Sequence, residues 1–133
     1  MNSTIRIILA VLAGLLIGSM VNLGIVMISG MIIPPPEGAN ITTMEGLKES
    51  IHLFQPKHYI MPFLAHAMGT LVGSVTVVKI VIDNKMRWAL LLGAIFFVGG
   101  LSNVFMLPSP VWFIILDLGL AYFPMAYLGA KWA

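Results

Sequence analysis

No charged side chain interrupts the stretch from Ile7 to Ile33, and its one amide is Asn22. A helix needs roughly 20 apolar residues to cross a bilayer, so this segment is long enough to span one. The rest of the chain agrees. Hydrophobic residues make up 59% of the 133 and charged residues 9%, against about 25% charged in a soluble domain. Mean hydropathy is +1.01. So few polar groups cannot cover a water-facing surface, which excludes a soluble domain and a disordered chain. The apolar run is longer than the roughly 7–15 residues of a secretory signal, and no small-residue cleavage site ends it, so it is expected to stay as a span. Cysteine is absent, which removes disulfides, thiolate nucleophiles and Cys-ligated metals. A formal charge of +2 rests on too few groups to imply nucleic acid as a partner.

The pattern predicts an all-α fold: one integral membrane domain over residues 1–133, a four-transmembrane-helix bundle with spans at about 6–33, 59–82, 86–107 and 110–130. Pro34-Pro35-Pro36 stops the first span, because proline has no amide hydrogen and clashes with the preceding turn. Asp83-Asn84-Lys85 and Pro108-Ser109-Pro110 are the later turns. Pro124 lies inside the fourth span as an expected kink. The polar stretch 34–58 is a loop carrying a short amphipathic interfacial helix at about 43–54. Thr42 and Glu45 are expected to form its capping box, and Met44, Leu47, Ile51 and Phe54 its apolar face. Basic residues near span ends set orientation. Arg6, Lys79, Lys85, Arg87 and Lys131 fall on one side, while Lys48 and Lys57 share the other with Glu37, Glu45 and Glu49. Both termini are therefore expected in the cytoplasm and the 34–58 loop outside.

Small residues recur four apart at Gly14 and Gly18, and at Ala65, Gly69 and Gly73, with Gly93, Gly99, Gly100 and Gly119 further on. Such stripes let membrane helices approach closely. They are expected to pack helices within the chain, with a homo-oligomeric seam as the alternative.

Asn22, His66, Asn103 and Asp117 are strongly polar side chains inside the spans, where they must face inward and find partners. At 1.5 Å rise per residue, His66 and Asp117 lie roughly 10 Å from the outer ends of their helices, Asn103 roughly 6 Å and Asn22 roughly 16 Å. One polar residue per helix thus converges on the outer half of the membrane. His66, Thr70 and Ser74 lie along one face of the second span. Asp117 shares a face with Ala121 and Pro124; Tyr122 is off that face but within reach of the pocket. A carboxylate among leucines and isoleucines must be protonated, paired or hydrated. Beside it, His66 is a candidate proton shuttle. The expected ligand- or proton-binding residues are Asp117, His66, Asn22, Asn103 and Thr70. The competing reading makes each a structural hydrogen bond, Thr70 and Ser74 bonding their own helix carbonyls. His52, His58 and His66 form no recognised metal signature, so no metal and no cofactor are expected.

Pro34-Pro35-Pro36-Glu37-Gly38 and Pro62-Phe63-Leu64-Ala65-His66-Ala67-Met68-Gly69-Thr70-Leu71-Val72-Gly73 resemble segments of small four-helix bacterial inner-membrane proteins with no assigned activity. The resemblance covers most of the chain. It implies a bacterial inner (plasma) membrane and a four-helix fold, and it brings no residue roles. Fluoride channels are similar in size only. Small multidrug exporters share the four-helix plan, but their acidic residue lies in the first span, and here it lies in the fourth.

Three functions compete. The first is binding or transport of a small polar or amphiphilic ligand, such as a lipid headgroup, in an outer-leaflet polar pocket with the 43–54 helix as lid. The second is a structural or accessory subunit that docks a membrane partner protein. The third is an intramembrane enzyme with His66 and Asp117 as an acid–base pair and Thr70 as the nearest hydroxyl. The first ranks highest, and the expectation is a protein that is not an enzyme.

Overall fold

In the computed structural model, which describes Met1 to Ala133, the chain is all-helical. Helix α1 spans Ser3–Ile32, capped by the Asn2 side chain, which accepts from the Thr4 amide at 2.7 Å. A short helix α2, Met44–Ser50, continues as a 3-10 turn over Ile51–Leu53, and a second such turn, Pro56–Tyr59, leads into α3, Ile60–Ile80. Helix α4 spans Lys85–Met106, α5 Val111–Leu120 and α6 Phe123–Trp132. Four segments are long and apolar enough to cross a membrane: Ser3–Ile32, Pro56–Ile80, Lys85–Met106 and Val111–Trp132. Helix α1, about 45 Å long, exceeds the hydrocarbon thickness of roughly 30 Å and fits by tilting.

Helix α3 is central and packs against α1, α4 and α6. Its small residues explain why. A Cβ on Gly73 would stand 2.8 Å from the Gly14 carbonyl oxygen, and one on Gly69 2.8 Å from that of Gly18. The two stripes therefore meet as one antiparallel seam inside the chain, where close backbone approach substitutes for the missing hydrophobic force. On the other side, a Cβ on Gly129 of α6 would lie 2.8 Å from the Leu71 carbonyl. Ala10, Val77, Val81 and Leu92 close the bundle near the α3–α4 turn. That turn uses Asn84 in the left-handed region, φ 54°, which asparagine tolerates better than most residues. Ile8, Leu12, Leu16, Met20, Leu23 and Met27 stay exposed along α1, as a face turned to lipid requires.

Three local expectations are corrected. The cap of α2 is Thr43, whose hydroxyl oxygen accepts from the Gly46 amide at 3.0 Å, while the Thr42 hydroxyl donates to Asn40 Oδ1 at 2.7 Å. The cap sits one residue later, without a box partner because N3 is Gly46, and Asn40 takes Thr42 into its own turn. Met44 is exposed, so Leu47, Ile51 and Phe54 alone face the bundle. The fourth span is not one kinked helix but two: it breaks at Ala121 and Tyr122, where Tyr122 has φ −112° and ψ −79°. Pro124 has no amide hydrogen for the Leu120 carbonyl and its ring crowds that oxygen, so the ladder restarts beyond the break with Ala126 donating to Tyr122.

Candidate functional site

His66 on α3 and Asp117 on α5 are paired. Nδ1 of His66 lies 2.8 Å from Oδ1 and 3.0 Å from Oδ2 of Asp117. Asp117 is 5% exposed and the His66 side chain 22% exposed. A carboxylate accepts, so Nδ1 carries the hydrogen and Nε2 is left with no protein partner. The Tyr122 hydroxyl donates to Oδ2 over a long 3.4 Å, and its ring stacks on His66 at 5.8 Å between centroids. In a continuous helix Tyr122 would point away from Asp117; the break turns it onto the imidazole. Sequence reasoning put Tyr122 within reach of the pocket but off the face of Asp117; what it lacked was the break, whose signal is Pro124, two positions on.

Gly100 on α4 makes the room. A Cβ there would collide with the Tyr122 hydroxyl. Neighbouring Gly99 has nothing within 4 Å of its Cβ position. We expect Gly100→Ala to destabilise the protein by about 1–3 kcal/mol through overpacking, and Gly99→Ala to be neutral or slightly stabilising. Thermal unfolding in detergent checks the pair; equal behaviour of the two would rule out the Tyr122 packing.

A cavity of about 260 Å³ adjoins the pair, lined by Asn22, His66, Thr70, Phe96, Asn103 and Tyr122 together with glycines of α1, α3 and α4. Ser19, Gly99 and Asn103 on its rim are exposed, so it opens sideways between α1 and α4. Asn22 Oδ1 is buried and has no hydrogen-bond partner. A second cavity of about 230 Å³ shares His66, Gly100 and Asn103 with the first and adds Asp117. Its walls are largely apolar, and Leu47, Ile51 and Phe54 line it from the loop side. Four of the five expected site residues, Asn22, His66, Thr70 and Asn103, thus surround one cavity, and the fifth, Asp117, lies behind His66.

Two hydroxyls of α3 are committed. Thr70 donates to the His66 carbonyl at 2.9 Å, not to its ring. Ser74 differs from expectation: it donates across to the Ala126 carbonyl of α6 at 2.6 Å. His58 Nδ1 accepts from the Gln55 amide at 2.8 Å. No three His, Asp or Glu side chains group closely enough to hold a metal ion.

Together these features define a multi-pass helical membrane protein with a polar, laterally open cavity inside the bundle. No family model, no curated protein and no solved structure matches the chain.

Proposed function

We propose that the protein binds, and in doing so transports or presents, a small polar or amphiphilic ligand in the cavity between α1, α3 and α4. The observation that carries this reading is the orphaned Asn22 Oδ1 beside that cavity. A buried acceptor left unpaired costs about 1–3 kcal/mol, and a ligand donor offsets that cost. The unpartnered Nε2 of His66, on a ring held in place by Asp117, is a second polar contact for the ligand. The test is native mass spectrometry of the intact protein in lipid nanodiscs. A co-purified small molecule is expected with the wild type and should be lost from Asp117→Asn and His66→Ala variants that still fold. Retention of the same molecule by both folded variants would sink the reading. Recovery only as a stable heteromeric complex with an empty cavity would favour an accessory subunit.

We further infer a bacterial inner membrane, from the resemblance, and both termini cytoplasmic with residues 34–58 outside, from the basic residues at the opposite end. Arg6 borders the same crevice as Asp83 and Asn84, which groups those charges. The chain has no cysteine, so single substitutions report cleanly. An impermeant maleimide should label Lys48→Cys in intact cells and leave Asp83→Cys unlabelled until lysis; the reverse pattern inverts the topology.

A further inference from the structure

We infer that the ligand is an alkylamine: a primary ammonium head in the polar cavity, with its carbon chain in the apolar one. This rests on the reading above and adds the chemistry of the ligand. Neither cavity is lined by lysine or arginine, and the one formally charged side chain in their walls is Asp117. Asn22 Oδ1 is a buried acceptor with no partner, and the Asn103 amide in the same wall adds a second oxygen. An ammonium brings three donors and no acceptor. It supplies the donor that Asn22 Oδ1 lacks and further donors for the Asn103 oxygen, and its charge is opposed by the Asp117 carboxylate behind the imidazole. An anion would find amide and hydroxyl donors on Asn22, Asn103 and Ser19 but no lysine or arginine to offset its charge, and a carboxylate close by. A quaternary ammonium would gain the charge but leave Asn22 unpaired. The aromatic faces of Phe96 and Tyr122 in the same wall add a favourable surface for a cation.

The order of the chambers separates a free amine from a bilayer lipid. The polar cavity lies deeper, between Asn22 and the Gly18–Gly69 contact of α1 and α3. The apolar one lies towards the 34–58 loop under Leu47, Ile51 and Phe54. A phospholipid in its leaflet carries head and tail in the opposite order. A single-chain amine with its head inward matches the sequence of walls, joined at His66, Gly100 and Asn103.

The test uses the full chain in nanodiscs and four six-carbon probes followed by calorimetry: hexylamine, hexanol, hexanoate and hexyltrimethylammonium. Hexylamine should bind at least about tenfold more tightly than the other three, as a charge-assisted donor does. Affinity should rise about fourfold per methylene from butylamine upward, and Phe54→Trp, which fills the apolar chamber, should flatten that rise. Asp117→Asn should reduce hexylamine to the level of hexanol. Asn22→Leu should weaken it about tenfold, and this second variant keeps the test intact if the first does not fold. Equal or tighter binding of hexanoate or hexyltrimethylammonium overturns the amine assignment while leaving the cavity a ligand site. Displacement of hexylamine by phosphatidylethanolamine in the nanodisc assigns the site to a lipid head and overturns the free amine. Binding of none of the probes, in protein that has no co-purified molecule, overturns both this inference and the function it rests on.

Discussion

Asp117→Ala is expected to lower stability by about 3 kcal/mol, the upper end of the range for losing hydrogen bonds to a charged group. The upper end applies because Asp117 is 5% exposed and both of its oxygens are engaged. The substitution strands two donors, the His66 Nδ1 hydrogen and the Tyr122 hydroxyl. Asp117→Asn keeps an acceptor for His66 and should cost about 1 kcal/mol, the net worth of an ordinary hydrogen bond. Reversible unfolding in mixed micelles measures both. Combining Asp117→Ala with His66→Ala should recover part of the loss, a coupling of about 0.5–3 kcal/mol. Alanine and asparagine variants of equal stability would mean that the pair does not exist in the membrane.

Gly69→Leu should have the largest effect of any single change. A Cβ at Gly69 would stand 2.8 Å from the Gly18 carbonyl oxygen and 3.2 Å from Asn22 Cβ. Neither neighbour gives way cheaply: one is helix backbone, the other the root of a side chain. Helix α1 must swing away from α3, opening the seam and the wall of the polar cavity together. Overpacking of this kind costs about 1–3 kcal/mol for a well-tolerated insertion and more against backbone. We expect loss of folded protein by size exclusion and loss of ligand binding in the same variant. Gly24→Leu, on the same membrane helix as Gly18 but with nothing within 4 Å of its Cβ position, should fold normally. Wild-type behaviour of Gly69→Leu would place the α1–α3 contact elsewhere.

How much of this was legible in the sequence depends on what each feature requires. The four spans agree with the structure to within a few residues, because apolar length and proline position act locally along the chain. The small-residue stripes were legible as packing surfaces, but not which stripe met which. Thr70 bonds its own helix as expected. Ser74, one turn on, does not, because the Ala126 carbonyl comes within 2.6 Å across the interface. The Thr42 cap was misplaced because Asn40, two residues upstream, offered that hydroxyl a closer acceptor.

The scarcity of charge by itself pointed to a chain that crosses a membrane, and the depths of four polar side chains put them in the same half of the bundle. Both follow from rise per residue and hydropathy, which add along the sequence. Which of those side chains touch was decided only by the tertiary structure. Contact depends on the rotation of each helix about its axis, and rotation is set by packing against neighbours. The pairing of His66 with Asp117 needed α3 and α5 turned towards each other. The place of Tyr122 needed the fourth span to break at Ala121 and Tyr122, which turns its ring from the far side of a helix onto the imidazole.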